Sequence, residues 1–331
     1  MHLELVVPGL LGGGAELPLP ALELLLARGR RTEGDALALE DWLKEKFELA
    51  EDQGLPAGAL TALALGIDPG ERFWLRADPV HLRADRDRLL LFPSPAFALE
   101  MEEAEQLAGA LERHFADRFE LKVLRPDLWV IATAQDARVG AKAPLELVGQ
   151  NVDPNLPEKR WHALLNEIQM ALYQHPVNTE REASGVPVIN SVWLWGGGRL
   201  PGAAASEWLS VSGGDPVALG LAKLSGARPG APCAGAQEWL AQAPAKGRHL
   251  VVLDTPRAPR ALGDAEGLAR ALQTLEERWF APLLAALKAD RVGMVTLHAP
   301  EAGLSFETTR GDLRRFWRRP RPLSAYAAPA T

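Results

Sequence analysis

A cation, two amides and a run of glycines lie close together in the middle of the sequence. The cation is Arg181, and the other members of the group are Asn178, Asn190, Gly196, Gly197 and Gly198. A guanidinium can grip a phosphate or a carboxylate with two parallel hydrogen bonds, and the N–H groups of a glycine turn can face the same anion. The group therefore predicts a site for a small anionic ligand.

Two tryptophans in the same segment support a different hypothesis. Trp193 and Trp195 are two residues apart, so on a strand their side chains share one face. They would form a packing platform or a partner-binding surface, and the asparagines would only stabilise a hairpin. The sequence leaves both hypotheses open.

The carboxyl-terminal region combines arginines with aromatic residues. Its members are Arg310, Arg314, Arg315, Phe316, Trp317, Arg318, Arg319 and Arg321. Such a cluster can bind phosphates or nucleic acid. Alternatively, the aromatic rings dock on the core and the arginines pair with acidic side chains.

Alternating strands and helices must position these residues. Short apolar runs predict strands at Leu3–Val7, Val186–Leu194, Leu250–Leu253 and Arg291–Leu297. Amphipathic patterns predict helices at Met101–Phe115, Trp161–Tyr173 and Asp264–Lys288. This alternation is typical of an α/β fold with helices on both faces of a sheet.

Composition narrows the class of protein. The 331 residues carry a net charge of −7, which disfavours nucleic acid as a partner. Cys233 is the single cysteine, so an intrachain disulfide is excluded. The sequence has no apolar stretch long enough to span a membrane, and its start does not resemble a signal peptide. We expect a cytoplasmic protein that does not bind membranes.

Six segments, in this order along the chain, carry a family resemblance. They are Leu19–Gly29, Leu65–Pro69, Phe73–Val80, His175–Gly198, Leu250–Asp254 and Val295–Pro300. They resemble the archaeal-type cofactor-independent phosphoglycerate mutases, which belong to the alkaline phosphatase superfamily. The segments Asn190–Gly198 and Phe316–Leu323 resemble a bacterial subgroup described as "regulatory protein RpfE type".

The resemblance implies an alkaline-phosphatase-like architecture. A parallel sheet with helices on both faces would form the core, built from residues 1–80 and 216–331. Residues 81–215 would form a smaller inserted α/β domain.

The resemblance also implies two divalent metals and a serine nucleophile in active relatives. Pro8, Ala258 and Leu297 stand where metal ligands are expected, and Ala57 stands where the serine is expected. Asp254 and His298 remain as vestigial metal positions, and no histidine follows His298. Two side chains do not supply a dinuclear centre. We therefore predict that the chain retains neither metals nor another cofactor, and that it has no catalytic residues.

These observations favour a catalytically inactive, phosphoglycerate-mutase-like protein with a binding or regulatory role. Its partner would be an unknown protein or a small anionic ligand. One alternative is a metal-dependent phosphomutase or phosphatase with a site rebuilt from Asp254, His298 and Arg181. Another is a scaffold that binds partners through Trp193 and Trp195.

Overall fold

The computed structural model describes residues 1–12, 17–50, 54–156 and 159–326. The strands are β1 (His2–Val6), β2 (Arg30–Glu33), β3 (Phe73–Asp85), β4 (Arg88–Pro93), β5 (Glu120–Arg125), β6 (Leu128–Thr133), β7 (Ser191–Gly198), β8 (Ser210–Gly213), β9 (Arg228–Gly230), β10 (Arg248–Val252), β11 (Met294–Ala299) and β12 (Leu304–Thr309). The α-helices are α1 (Pro20–Arg28), α2 (Leu39–Lys46), α3 (Ala57–Ala64), α4 (Met101–His114), α5 (Lys159–Tyr173), α6 (Pro176–Ala183), α7 (Pro216–Ser225), α8 (Ala236–Gln242), α9 (Arg257–Leu262), α10 (Ala265–Leu275) and α11 (Ala281–Lys288).

The chain divides into two compact units. The first unit combines Met1–Glu48 with Ala204–Thr331, and the second is Leu49–Ala203. These limits differ from the predicted boundaries, because residues 49–80 lie in the second unit and residues 204–215 lie in the first. The reason is β3, which begins at Phe73 and forms the middle of the second unit's sheet.

A seven-stranded sheet organises the first unit. Its strand order is β2-β12-β11-β1-β10-β8-β9. The five strands from β11 to β9 run parallel, whereas β12 and β2 continue the sheet antiparallel. Placing β1, β10 and β11 side by side confirms the prediction that strands from both ends of the sequence share one sheet.

Helices cover both faces of this sheet. On one face Leu3 and Leu5 of β1 pack with residues of α1, α10 and α11 in the main apolar core. On the other face the ring of Trp42 in α2 lies 5.2 Å from that of His298 in β11, between centroids. The α/β class and the two helical layers are therefore as predicted. No helix among the described residues has the length and apolarity needed to cross a membrane.

The predicted long helix at 264–288 is interrupted. A π-helical turn, Glu276–Phe280, separates α10 from α11. The buried Glu276 carboxylate accepts hydrogen bonds from the N–H groups of Ala21 (2.7 Å) and Leu22 (3.0 Å) at the start of α1. Because Leu19, the residue before α1, offers no capping side chain, Glu276 supplies the acceptors that this helix start lacks.

The second unit contains a five-stranded antiparallel sheet. Its long strand β3 pairs with β6 near Phe73, with β4 near Asp85, and with β7 along the other edge. The hairpin of β5 and β6 extends the sheet. A separate core of buried side chains, including Phe115, Trp129 and Ile168, fills this unit.

Candidate functional site

The carboxyl edge of the parallel sheet gathers the loops after β1, β8, β10 and β11. The N–H of Val7 donates to the carbonyl of His298, and the N–H of Leu253 donates to the carbonyl of Val6, both at 2.9 Å. Ligands of open α/β sheets bind outside this edge. Pro8 and Asp254 therefore leave the sheet beside one another.

A buried ion pair lies at this edge. Arg257, the first residue of α9, places its Nη2 2.5 Å from the Oε2 of Glu40 in α2, and the two side chains are only 15% and 11% exposed. Burial by itself lowers the pKa of Arg257, but the carboxylates of Glu40, Asp215 and Glu301 outweigh it and raise that pKa. The guanidinium is therefore a fixed cation among acidic side chains.

Further carboxylates surround this cation. The Oδ1 of Asp215 accepts from the N–H of Ala218 at 2.8 Å, so Asp215 caps α7. Burial, with smaller contributions from Glu40 and Asp254, raises the pKa of Asp215 to about 6. The Asp254 carboxylate lies next to Gly214, whose added Cβ would be 3.9 Å from both of its oxygens. We call Glu40, Asp215, Asp254, Arg257 and Glu301 the Arg257 cluster.

Gly9 lets the loop after β1 approach this cluster. Its φ is +77°, and an added Cβ would lie 2.9 Å from the carbonyl oxygen of Pro256. Its N–H donates to the Oε2 of Glu301 at 3.2 Å, and its carbonyl accepts from the Nε of Arg260. The Pro8–Gly9 turn is thus held by the side chains of Arg260 in α9 and of Glu301 after β11.

His298 is engaged away from the Arg257 cluster. Its Nε2 is 3.1 Å from the Oε2 of Glu4, and its Nδ1 is 2.8 Å from the Oγ of Ser305. Both ring nitrogens therefore have protein partners on the face of the sheet. A metal-binding imidazole must keep one nitrogen deprotonated and directed at the ion.

The described residues do not fit a dinuclear metal centre. No group of three or more His, Cys, Asp or Glu side chains in the described part of the chain is arranged to hold an ion. His298, one of the two vestigial positions, contacts Glu4 and Ser305, and the cation in the Arg257 cluster is a guanidinium.

Sequence reasoning missed Glu4 and Arg257. Glu4 is buried in β1, where Arg248 donates to its Oε1 at 2.9 Å. Burial by itself raises the pKa of Glu4, but hydrogen bonds and charge from His298 and Arg248 lower it to about 2. The available signal was an acidic residue within an otherwise apolar strand, Leu3–Val7.

Arg181 is held by the protein itself. Its Nε donates to the carbonyl of Pro187, its Nη1 to both oxygens of Glu103, and its Nη2 to the carbonyl of Ala98, all at 2.8–2.9 Å. The side chain is 5% exposed. Its donors therefore stabilise a loop, whereas the sequence predicted an anion contact.

The two asparagines also have structural partners. Asn178 bridges the carbonyls of Leu172 and Ile189 and accepts from the N–H of Ile189. Asn190 exchanges two hydrogen bonds of 2.8 Å with the backbone of Leu82. These bonds use the amide groups that were predicted to face an anion.

The three glycines lie within β7, so the predicted glycine turn is a strand. Gly196, at φ +56°, occupies an irregularity in the pairing of β7 with β3. An added Cβ would lie 2.5 Å from the Cβ of Ala57 at Gly196, and 1.8 Å from the carbonyl oxygen of Ala137 at Gly197. At Gly198 it would lie 3.0 Å from Pro56. The glycines therefore permit close packing.

Trp193 and Trp195 do not form an exposed platform. They are 1% and 6% exposed, and their indole N–H groups donate to the carbonyl of Lys142 and to the Oδ2 of Asp78. Asp78 also accepts from Arg76 at 2.7 Å. Burial raises the pKa of Asp78, against the charge of Arg76 and the hydrogen bond from Trp195. This buried network was not identified from the sequence.

Comparison with known proteins finds similarity to phosphoglycerate mutases in sequence and to solved structures in fold. No family model matches the chain. Over 201 residues it is 26% identical to the 2,3-bisphosphoglycerate-independent phosphoglycerate mutase of Methanosarcina mazei. That match covers 55% of this chain and 49% of the relative, so the chain spans about half of the relative's length.

The similar structures cover most of the chain. A cofactor-independent phosphoglycerate mutase from Thermoplasma acidophilum aligns with 100% of this chain and 95% of its own, at 17% identity and a TM-score of 0.44. The PH0037 protein of Pyrococcus horikoshii aligns with 93% of this chain and 87% of its own, at 15% identity and a TM-score of 0.55. The chain has the alkaline-phosphatase-like α/β fold, and half of its sequence is similar to a phosphoglycerate mutase.

Proposed function

We propose that this chain is a phosphoglycerate-mutase-like protein that does not transfer phosphoryl groups and acts by binding. Its role would be regulatory, as the resemblance to the "regulatory protein RpfE type" subgroup implies. The partner would be an unknown protein or a small anionic ligand.

The Arg257 cluster carries this proposal. Metal-dependent phosphoryl transfer uses divalent ions to polarise the phosphate and to activate the nucleophile. Such ions would be expected at the carboxyl edge of the sheet. There Arg257 forms an ion pair with Glu40 and is attracted electrostatically by the carboxylates of Asp215 and Glu301. A guanidinium balances this negative charge, but it has no coordination positions and stays protonated.

The alternative of a rebuilt metal enzyme has less support. It needs His298 as a ligand, yet Glu4 and Ser305 contact both ring nitrogens. It needs Arg181 as an anion contact, yet Glu103 and two carbonyls take its donors. The scaffold alternative loses its predicted surface because Trp193 and Trp195 are buried.

Metal analysis combined with an activity assay tests the proposal. We expect substoichiometric Mn, Zn and Mg in the purified protein. We also expect no conversion of 3-phosphoglycerate to 2-phosphoglycerate when each metal is added. The Asp254→Asn and His298→Asn variants should give the same result as the wild type.

The opposite pattern would overturn the proposal. It consists of two tightly held metals per chain and a metal-dependent turnover that Asp254→Asn abolishes. The Arg257→Lys variant serves as a control because it keeps the positive charge of the cluster. It should remain inactive as well.

A further inference from the structure

A patch of arginines and aromatic rings lies on the surface near the carboxyl terminus of the first unit. We call Arg314, Phe316, Trp317, Arg318, Arg319 and Arg321 the Arg-aromatic patch. Phe316 is 78% exposed and Trp317 is 67% exposed. Their rings meet edge to face, with 5.4 Å between centroids. The aromatic side chains therefore do not dock on the core, contrary to one of the two sequence-based hypotheses.

Buried residues fix the segment on both sides of the patch. Leu313 precedes it and Leu323 follows it, and both side chains belong to the main core. Within the segment, Arg318 donates to the carbonyl of Gly29 at 2.9 Å, and Arg315 pairs with Asp312 at 2.8 Å. The two rings are thus exposed although the segment that carries them is anchored to the protein on both sides.

Three arginines of the patch have no ion-pair partner among the residues that the structure describes. In the described part of the chain, no carboxylate forms an ion pair with Arg314, Arg319 or Arg321. The whole chain nevertheless has a net charge of −7. A local excess of guanidinium groups on an acidic molecule favours an anionic partner.

The residue types favour a protein as that partner. Arginine, tryptophan and phenylalanine are enriched at the centres of protein interfaces, whereas lysine is depleted. Residues 310–323 include six arginines and no lysine. Outside residues 310–323 the chain has 42 acidic and 30 basic side chains, which disfavours an extended polyanion such as a nucleic acid or an anionic bilayer. A short acidic peptide segment would meet the patch alone.

We propose that the Arg-aromatic patch docks an acidic segment of a partner protein, rich in Asp and Glu and with apolar side chains between them. The carboxylates pair with Arg314, Arg319 and Arg321. The apolar side chains cover Phe316 and Trp317, each of which offers about 150–250 Å² of surface for burial. This proposal does not depend on the Arg257 cluster or on the absence of catalysis.

Fluorescence anisotropy with labelled probes tests the docking. The probe is a fluorescein-labelled peptide of Glu-Glu-Leu repeats, and the matched probe replaces Glu with Gln. An oligothymidine of equal charge and vesicles of phosphatidylcholine with phosphatidylserine represent the other anionic partners. All measurements use the full chain at physiological salt, because weak surface attraction is exaggerated at low salt.

We expect the Glu-containing peptide to bind and the Gln-containing peptide to bind at least about tenfold more weakly. A double variant, Arg319→Glu with Arg321→Glu, should lose about tenfold or more in affinity, and so should Phe316→Ala with Trp317→Ala. The charge-matched control is Arg270→Glu with Lys288→Glu, two exposed positions outside the patch. It should leave the affinity unchanged within about twofold.

Three outcomes would overturn the proposal. The first is tighter binding of the oligothymidine or the vesicles than of the peptide. The second is equal affinity of the peptide for wild type and both patch variants, with melting curves showing that all are folded. The third is patch-dependent self-association in sedimentation, which would make a second copy of this chain the partner.

Discussion

Glu4 shows how one residue can stabilise several strands at once. It lies on β1 and faces His298 on β11 and Arg248 on β10, the two neighbouring strands. One carboxylate therefore ties three adjacent strands together by charge-assisted hydrogen bonds, which are stronger than neutral ones.

This arrangement predicts a specific loss of stability in acid. The pKa of Glu4 is about 2 in the folded protein, against an ordinary value of 4.5. The folded state therefore prefers the ionised carboxylate. The stabilisation of the folded state by this carboxylate is fully present above about pH 4.5 and is lost as the pH falls toward 2. Glu4→Gln should lower the free energy of unfolding by about 3 kcal/mol near neutral pH.

Denaturant titrations between pH 7 and pH 3 measure this effect. The variant should lose less stability than the wild type on acidification. Glu307→Gln, which breaks a more exposed ion pair with Arg30, is the control and should cost less than about 1 kcal/mol. If the free energy of unfolding changed with pH in the same way for wild type and Glu4→Gln, the role given to Glu4 would be wrong.

Arg181 gives the second prediction at this scale. Arg181→Ala should lower the free energy of unfolding by about 3–5 kcal/mol, because Glu103 and two carbonyls lose their donors. Differential scanning calorimetry measures the change, and the exposed Arg113→Ala is the control. An unchanged melting temperature together with lost phosphate protection would instead make Arg181 an anion-binding residue.

The sequence identified unusual residues better than it identified their roles. Arg181, Asn178 and Asn190 stood out by type, and all three do make specific polar contacts. Their partners lie on other elements, among them the Glu103 carboxylate in α4 and the backbone of Leu82 in β3, which no local pattern reveals. Glu4 and Arg257 were missed because their partners, Arg248 and Glu40, are more than 200 positions away in sequence.

At the scale of elements, the contact between α3 and β3 depends on a glycine inside the helix. A Cβ added to Gly58 would lie 2.5 Å from the Cα of Leu75. In α4, by contrast, a Cβ at Gly109 would meet only the flexible end of Arg113, at 3.4 Å. Two glycines inside helices therefore have opposite surroundings.

Alanine at these two positions should change stability in opposite directions. Gly109→Ala should stabilise the protein by about 0.5–1 kcal/mol, the ordinary gain for alanine in a helix. Gly58→Ala should destabilise it by about 1–3 kcal/mol because helix and strand must separate. Urea unfolding of both variants measures the difference. Equal stabilisation by both would mean that α3 does not pack closely on β3.

Elements with clear periodicity were the most predictable ones. The helix α4 follows its amphipathic pattern closely and ends one residue before the predicted limit, Phe115. The glycine run was predicted to be a turn, since glycine commonly marks one. It is a strand that pairs with β3, and its residues are glycines because Ala57, Ala137 and Pro56 lie too close for a side chain. The π-helical turn at Glu276–Phe280 was missed because a single inserted residue hardly disturbs the apolar pattern.

At the scale of the whole molecule, the second unit has its own sheet and its own core. We predict that a fragment of residues 49–203 folds cooperatively by itself. A fragment of residues 81–215 should not fold, because it lacks every residue of β3 that pairs with β6 or with β7.

Circular dichroism melts and one-dimensional amide NMR spectra of the two fragments measure the difference. A sharp transition is expected only for 49–203. Folding of 81–215 would show that the boundaries predicted from the sequence are the better ones.

The central position of β1 also affects how the protein is made on the ribosome. β1 emerges well before its two neighbours, because His2 pairs with Arg248 and Met294. At about 5–20 residues per second, the nascent strand waits on the order of ten to fifty seconds for its neighbours. Its apolar residues Leu3 and Leu5 remain uncovered during that interval. We therefore expect a chaperone to hold this segment while residues 49–203 complete their own fold.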